Sequence, residues 1–216
     1  MRLFTYFRSS AAYRVRIALR LKGLAYTPDF IHLRRNEQSS AGYTALNPQA
    51  LVPALIDGPT VLSQSMAIIE YLDEIQADPP LLPGDAVQRA HIRSLALAVA
   101  CDIHPLNNLR VLRYLKDEMS QSQHSVDAWY RHWVAIGLTA LEAQVSRSAL
   151  KGRFCVGDRP TLADVALVPQ LYNARRYQCD LVGYPTLIEI EAACLALPAF
   201  AEASPEQQPD ADADTL

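Results

Sequence analysis

The sequence predicts a small α/β unit followed by an all-helical unit, and three observations support this fold class. Strand and helix patterns follow the order βαβ and then ββα over about residues 1–76. The next stretch, "ADPPLLPGDA", holds three prolines and a glycine and is typical of a linker. Only helical patterns follow it. We expect domains at residues 1–78 and 87–203, a linker at 79–86, and a disordered, acidic and Pro-rich tail at 204–216.

Composition and charge are those of an ordinary globular protein. Of the 216 residues, 50% are hydrophobic and 20% are charged, and the net charge of −3 does not favour nucleic acid. No apolar run approaches the roughly 18 residues that a membrane span needs, and the start lacks the features of a signal peptide. Cys101, Cys155, Cys179 and Cys194 form no CxxC pair. We therefore expect reduced thiols and a soluble protein of the cytoplasm.

The elements of the first unit follow from local patterns. "RLFTYF" predicts a strand, and the apolar positions after Ser10 predict a helix that ends at Lys22-Gly23. "YTPDFIHL" predicts a second strand, which Pro28 places near a sheet edge. Residues 34–50 are polar and irregular, with room for one helical turn. "VPALIDGPTVLS" predicts a hairpin around Asp-Gly, and "SQSMAIIEYLDEIQ" predicts an amphipathic helix capped by Ser65.

The second unit reads as helices only. Long helices are expected at about 86–118 and 125–148, a third from Thr161 and a fourth from about Pro185. "TLAD" fits a capping box, in which the Thr161 hydroxyl and the Asp164 carboxylate satisfy free N–H groups reciprocally.

A polar cluster, Arg8-Ser9-Ser10, lies where the first strand leads into the first helix. The free N–H groups and the positive end of the helix dipole favour an anion there, and a thiolate in such a position has a lowered pKa. Positions 11 and 12 are alanine, so a thiolate used there must arrive on a cofactor. The alternative is that Ser9 or Ser10 serves only as a helix cap.

Two further segments can also be interpreted either as part of a ligand site or as purely structural. If the Val52–Pro53 bond were cis, the turn would expose the N–H and C=O of Val52 for pairing with an extended, peptide-like ligand. Ser65 at a helix start suits a carboxylate, or it is a plain cap.

The segment "YFRSSAAYRVRIAL" resembles the S-S-C-x-x-R-V-R-I-A signature of the zeta class of glutathione transferases. "NPQALVPAL", "QSMAIIEYL", "DIHPLNNLRVL" and "GDRPTLADVALVPQL" are similar to later motifs of that class, in the same order and spacing. The match covers roughly residues 1–200. It implies an N-terminal thioredoxin-like domain that binds glutathione and a C-terminal helical domain that completes the substrate pocket.

The resemblance implies contacts to glutathione for several residues of the first unit. Ser9 or Ser10 would hydrogen-bond the sulfur, and a one-residue shift of the helix start exchanges them. Gln38 would contact the glycyl end. Val52, before a cis Pro53, would pair with the cysteinyl backbone.

Other positions complete the implied glutathione site. Gln64 and Ser65 would take the γ-glutamyl carboxylate, and Asn108 would come from the helical domain or from a partner subunit. His104 is either a donor near glutathione or an interface histidine, and with Cys101 alone it makes a poor metal site, so no metal is expected. Ala11 departs from the signature, which has cysteine there, and argues against an obligatory protein thiol.

Zeta-class enzymes isomerise the cis double bond of maleylacetoacetate or maleylpyruvate. Thiolate addition turns the C=C bond into a single bond, rotation follows, and elimination returns the trans product. These substrates carry two carboxylates, which arginine forks bind bidentately. The resemblance assigns that role to Arg8, Arg110 and Arg176, whereas we interpret Arg14 and Arg16 as mostly structural.

Arg110 bears on the choice of substrate. The maleylpyruvate isomerases have arginine in a similar "HPxNNxR" setting, whereas the maleylacetoacetate isomerases commonly have a small residue. The alternative is that Arg110, with Arg113 and Lys116, belongs to a solvated basic helix face.

The resemblance therefore predicts a glutathione-dependent maleylpyruvate isomerase of aromatic degradation through gentisate. The alternatives are a maleylacetoacetate isomerase of tyrosine and homogentisate breakdown, a transferase acting on α-haloacids or peroxides, and a non-catalytic, ligandin-like binding module. The resemblance also implies a homodimer, for which the Ala- and Leu-rich segment "HIRSLALAVACDI" offers apolar surface.

Overall fold

The computed structural model of the chain describes residues 1–211. Its contacts divide the chain into two compact units. The first joins Met1–Leu81 with the segment from Leu195 onward, and the second is Leu82–Cys194. Among the described residues, no helix combines the length and the apolar character that crossing a membrane requires.

A four-stranded sheet forms the centre of the first unit, in the order β2-β1-β3-β4. The strands are β1 (Arg2–Thr5), β2 (Thr27–Phe30), β3 (Ala54–Asp57) and β4 (Thr60–Ser63). β1 runs parallel to β2 and antiparallel to β3, and β3 pairs with β4 as a hairpin. The predicted strands are confirmed, including the edge position of the strand that contains Pro28, whose missing N–H costs no ladder bond there.

Helix α1 (Ser10–Leu21) follows the loop after β1, and α2 (Ala41–Leu46) and α3 (Ser65–Ile75) complete the helices up to the linker. α1 ends where predicted, because Gly23 adopts a φ of 63°. The predicted cap of α3 is wrong. Gln64 occupies the cap position with a φ of 70° and makes no side-chain cap bond, and Ser65 is already the first helical residue.

The segment from Leu195 returns to the first unit and packs along α1. The Tyr13 hydroxyl donates to the Phe200 carbonyl over 3.0 Å, and the Arg16 Nε donates to the Ala203 carbonyl over 3.0 Å. A 3₁₀ turn at Pro205–Gln207 follows, with Pro205 buried. Within the described part of the expected disordered tail, residues 204–211, the Asp210 carboxylate accepts a hydrogen bond from the Phe7 N–H in the loop before α1. The remainder of that expected tail lies outside the described residues.

The second unit is helical throughout the described residues, apart from an isolated bridge between Lys151 and Gly157. Its helices are α4 (Ala86–Leu97), α5 (Leu109–Arg113), α6 (Gln123–Ser146), α7 (Leu162–Arg176) and α8 (Pro185–Leu195). The prediction of one continuous helix at about 86–118 is wrong. A π-helical segment at Ala98–Ile103 and a 3₁₀ turn at Pro105–Asn107 interrupt it, because Pro105 has no N–H to continue the ladder.

Helix α7 is the buried centre of this unit, and its start carries the predicted capping box. The Asp164 carboxylate accepts hydrogen bonds from the Thr161 N–H at 2.7 Å and from the Cys155 N–H at 2.8 Å. Asp164 is fully buried, and this burial raises the pKa of its carboxyl group. Cys101, Cys155, Cys179 and Cys194 are all free thiols.

Candidate active site

The strand register brings the predicted segments of the first unit to one edge of the sheet, namely the edge at which β1, β2 and β4 end and β3 begins. Thr5 at the end of β1 pairs with Phe30 at the end of β2. Phe4 pairs with Ala54 at the start of β3, and Ala54 pairs with Ser63 at the end of β4. The loops that leave or enter the strands at this edge carry Arg8, Ser9, Ser10, Gln38, Val52, Pro53, Gln64 and Ser65.

Ser9 is the cap residue of α1. Its Oγ accepts a hydrogen bond from the Ala12 N–H over 3.2 Å, and its own N–H donates to the Tyr6 carbonyl over 2.9 Å. Ser10 is the first helical residue and is buried, whereas Ser9 is half-buried. The Ser9 hydroxyl therefore retains its own proton for a further acceptor at the helix start. Arg8 precedes it, with its guanidinium 5.3 Å from the centre of the Phe7 ring.

Gln38 lies in a 3₁₀ turn of the segment that follows β2. Its Nε2 donates to the Asn36 Oδ1 over 2.9 Å. Its Oε1 atom is buried and has no hydrogen-bond partner among residues 1–211. A buried acceptor of this kind is ordinarily satisfied by a bound group or by water.

The Val52–Pro53 peptide bond is cis, as the resemblance implies. The β3 ladder begins only at Ala54, so Val52 lies outside it. Two side chains hold the preceding carbonyl: Tyr43 Oη donates to the Leu51 oxygen over 2.6 Å, and Asn47 Nδ2 donates to it over 2.8 Å.

The sequence analysis assigned no role to Tyr43 and Asn47, because it treated residues 34–50 as irregular apart from one helical turn and the contact of Gln38. Burial raises the pKa of Tyr43 to about 12, which keeps its phenol protonated as a donor. The available signal was Asn47-Pro48, a turn-forming pair immediately before "QALVP".

Gln64 and Ser65 open helix α3 at the same edge. Gln64 Nε2 donates to the Gln49 Oε1 over 3.0 Å, which ties the helix start to the loop before β3. Ser65 is buried, and its Oγ accepts a hydrogen bond from the buried Arg14 over 3.4 Å. Arg14 thus lies directly behind the start of α3, and its charge reinforces the preference of that helix end for an anion.

The second unit holds the remaining predicted residues. His104, Asn108 and Arg110 belong to the broken stretch between α4 and α6, where Asn108 caps α5 by accepting from the Arg110 N–H over 3.1 Å. The Arg110 side chain is exposed. Helix α6 anchors this stretch: the Trp129 indole N–H donates to the Leu106 carbonyl over 2.8 Å.

Arg176 ends helix α7, and its guanidinium lies 4.9 Å from the centre of the Tyr177 ring. Tyr177 stacks on Tyr130 of α6. The carbonyl of Tyr130 in turn accepts a hydrogen bond from Asn107, in the segment that carries the other predicted residues of this unit. Tyr130 therefore links the surroundings of Arg176 to the 104–110 segment. No cluster of metal-binding side chains occurs among the described residues.

Comparison with known proteins defines the family. The model of the glutathione S-transferase N-terminal domain matches residues 1–74, and that of the C-terminal domain matches residues 127–200. The chain belongs to the glutathione S-transferase family. A probable maleylacetoacetate isomerase of Vibrio cholerae is 51% identical over 211 residues, which are 97% of either chain.

Solved structures of the family match over nearly the whole chain. A holo structure of a maleyl pyruvate isomerase, described as a bacterial glutathione S-transferase of the zeta class, superposes with a TM-score of 0.96 at 46% identity and covers 98% of this chain and 100% of its own. A maleylacetoacetate isomerase of Methylobacterium extorquens AM1, solved with malonate and glutathione bound, has a TM-score of 0.96 at 41% identity over 99% of this chain and 100% of its own. The zeta-class assignment and the thioredoxin-like plus helical architecture are confirmed.

Proposed function

We propose that this chain is a glutathione-dependent isomerase that converts maleylpyruvate to fumarylpyruvate in the breakdown of aromatic compounds through gentisate. The observation that carries the proposal is the common sheet edge, where two helix starts and the cis Val52–Pro53 turn meet. The likeness to a maleyl pyruvate isomerase over 98% of the chain supports the reaction. We assign glutathione binding to residues 1–78 and substrate binding to residues 87–203.

The residues at this edge fit glutathione, which is an extended and anionic tripeptide. Val52 lies outside the ladder, so its backbone is available to a peptide-like ligand. The buried Oε1 of Gln38 has no hydrogen-bond partner among residues 1–211 and, as an acceptor, suits the N–H of the glycyl residue rather than its carboxylate. Gln64 and Ser65 would bind the γ-glutamyl carboxylate at the start of α3. Roles of His104 and Asn108 toward glutathione remain predictions.

Glutathione supplies the thiolate that adds to the activated alkene carbon and leaves again after bond rotation. The chain's contribution at the sulfur is Ser9, whose hydroxyl proton can be donated toward a thiolate at the start of α1. The positive end of the helix dipole favours the same anion. Because Ser10 is buried as the first helical residue, we propose Ser9 rather than Ser10 for this contact.

The arginines are proposed to bind and orient the substrate carboxylates. Arg8 is adjacent to Ser9, and Arg176 is held against an aromatic ring. Arg110 is exposed and follows the Asn108 cap, so its side chain has no competing role in a core. Guanidinium groups also stabilise the negative charge that develops on the conjugated ketone of the substrate.

Maleylacetoacetate is the second candidate substrate, and a specific observation favours it: the 51% identical relative is a probable maleylacetoacetate isomerase. The reaction and the glutathione site would be the same. The difference lies in the second carboxylate, which maleylpyruvate carries directly on the ketone. A cation such as Arg110 near that keto acid favours maleylpyruvate.

Initial rates on both substrates, with and without glutathione, test the proposal. We expect glutathione-dependent turnover of both substrates by the wild type, with preference for maleylpyruvate, and loss of that preference in Arg110→Ser. Arg113→Ser changes an arginine of the same short helix and should leave the preference unchanged. Preference for maleylacetoacetate would select the second candidate, and absence of glutathione-dependent turnover of either substrate would refute the isomerase.

We further propose that the protein acts as a homodimer in the cytoplasm. In the Ala- and Leu-rich segment on which that prediction rests, the side chain of Leu97 is 41% exposed and is available to a second subunit. Sedimentation equilibrium of the purified chain tests the subunit number, and fractionation of the producing cells tests the location.

A further inference from the structure

The C-terminal segment reaches the loop that carries Arg8 and Ser9. The backbone N–H of Phe7 donates to the Asp210 Oδ2 over 2.9 Å, across 203 positions of the chain. A carboxylate acceptor makes this a strong, charge-assisted hydrogen bond. It lies two residues before the cap of α1, and both partners belong to the first unit.

Arg16 holds the same stretch of backbone through its carbonyl groups. Its Nη1 donates to the Tyr6 carbonyl over 3.3 Å, and its Nη2 donates to the Phe7 carbonyl over 3.0 Å. The Tyr6–Phe7 peptide is therefore fixed through its N–H by Asp210 and through its C=O by Arg16. The Tyr6 carbonyl also accepts from the Ser9 N–H over 2.9 Å, so the position of this peptide determines where the cap residue lies.

The two charged side chains support each other electrostatically. Arg16 is only 1% exposed, and burial lowers the pKa of its guanidinium to about 10 while the nearby Asp210 carboxylate raises it. The guanidinium therefore stays charged at neutral pH, with Asp210 offsetting part of the cost of its burial.

The residue after Asp210 contacts the other side of the candidate site. Ala211 packs against the apolar cluster formed by Tyr6, Phe7, Tyr43 and Val52. Val52 is the residue that precedes the cis Pro53. The end of the described chain thus touches both the loop before α1 and the turn before β3.

We propose that Asp210 is a positioning residue: it fixes the Tyr6–Phe7 peptide and thereby sets the Ser9 hydroxyl for the thiol of bound glutathione. This inference rests on the proposed function, since glutathione is its ligand. Asp210 acts through the backbone and touches no reacting atom.

Two substitutions at Asp210 separate its acceptor from its charge, and one control tests the segment as a whole. Asp210→Ala removes both, whereas Asp210→Asn keeps an oxygen that can accept from the Phe7 N–H. Glu202→Ala removes an exposed partner of Arg20 on the same C-terminal segment and should behave as wild type.

The first measurement is amide hydrogen exchange of Phe7 in the ligand-free protein, followed by NMR, with calorimetric binding of glutathione as the second. For Asp210→Ala we expect Phe7 exchange to be about tenfold faster and glutathione binding about fivefold to tenfold weaker. The rising limb of the pH profile of kcat/KM should move to higher pH, because a misplaced Ser9 stabilises the thiolate less and the pKa of the bound thiol rises. In Asp210→Asn, Phe7 exchange and glutathione binding should both return most of the way to their wild-type values. Loss of general stability would not produce such a rescue.

Glutathione affinity and a pH profile unchanged in Asp210→Ala would overturn the inference and leave the proposed function intact. Weaker binding in Glu202→Ala to the same extent as in Asp210→Ala would also overturn it, because the effect would then belong to the whole segment. A wild-type protein that binds no glutathione would overturn the proposed function itself.

Discussion

The rings of Tyr177 and Tyr130 stack with their centroids 3.5 Å apart and their planes 8° apart. Tyr130 belongs to α6, and Tyr177 follows the last residue of α7, so the stack fixes the end of one helix against the side of the other. The backbone supports it, because the Arg131 Nε donates to the Tyr177 carbonyl over 2.9 Å. The guanidinium of Arg176 therefore lies over a ring that cannot move independently of α6.

Removing the Tyr177 ring should weaken substrate binding. A cation over an aromatic ring at an exposed position gains about 0.5–1 kcal/mol, so we expect Tyr177→Leu to raise the KM for the dicarboxylate about threefold to fivefold with a smaller change in kcat. Tyr177→Phe keeps the ring and loses only a long contact from Arg176 to the hydroxyl. Steady-state kinetics should therefore separate the two variants, and equal KM values would refute the role of the ring.

Replacing Ser9 should cost both stability and turnover. Loss of a helix cap costs about 1 kcal/mol, and Ser9→Ala should lower the free energy of unfolding by that amount. If Ser9 donates to the thiolate as proposed, glutathione-dependent turnover should also fall at least tenfold, because that donor is lost.

A matched cap elsewhere separates these two effects. Ser122 caps α6 by accepting from the Ser125 N–H over 3.1 Å, so Ser122→Ala should lose a similar stability in urea unfolding and retain full turnover. Retained turnover in Ser9→Ala would reduce Ser9 to a plain cap.

Tyr43 should make the stability of the first unit depend on alkaline pH. Burial raises the pKa of its phenol to about 12, above its usual value of about 10. The stability that the phenol contributes is therefore fully present below about pH 10 and is lost as the pH rises toward 12. Comparison of Tyr43→Phe with wild type by urea unfolding should show a difference at neutral pH that shrinks across this window.

The same variant should weaken glutathione binding, because Tyr43 holds the Leu51 carbonyl next to Val52. We expect a modest effect of about twofold to fivefold, since Asn47 donates to the same oxygen and retains part of the constraint. Tyr114→Phe, which alters an exposed tyrosine of the other unit, is the control for both measurements. A difference in stability that does not change with pH would contradict the assignment to Tyr43 ionisation.

Much of the fold was predictable because its signals are local. The hairpin around Asp57-Gly58 and the capping box at Thr161 each depend on a few neighbouring residues, and the motif order of the family predicts which loops share an edge. The break after Ile103 was predictable in principle from Pro105, but the apolar pattern continues through it and indicated one long helix.

The support behind the site was not predictable, because it depends on distant contacts. The acidic, Pro-rich composition around Asp210 is typical of disorder, and only the structure reveals that the Phe7 N–H binds its carboxylate. Similarly, the sequence left Ser9 and Ser10 equivalent, since either can cap a helix. In the structure Ser9 is the cap, and its N–H donates to the Tyr6 carbonyl in the loop after β1.

Arg16 should be among the most sensitive positions of the first unit. Its guanidinium donates to the carbonyls of Tyr6, Phe7 and Ala203, and to the Thr5 hydroxyl over 3.1 Å. Arg16→Met fills a similar volume but leaves the Phe7 and Ala203 carbonyls without a donor, each at a cost of about 1–3 kcal/mol, whereas the Tyr6 carbonyl keeps the Ser9 N–H. We expect the free energy of unfolding to fall by about 3 kcal/mol or more.

Arg20→Met provides the matched control for Arg16→Met. Arg20 lies on the same helix and pairs at the surface with Glu202, and exposed ion pairs contribute about 0–1 kcal/mol. Thermal and urea unfolding should thus show a large loss for Arg16→Met and almost none for Arg20→Met. If Arg16→Met unfolds as wild type does, the acceptors must find other donors, and the link between α1, the loop before it and the C-terminal segment is weaker than the hydrogen bonds indicate. If stability falls as expected, the Phe7 amide should also exchange faster in Arg16→Met than in Arg20→Met, because the peptide that Asp210 holds from one side has lost its support from the other.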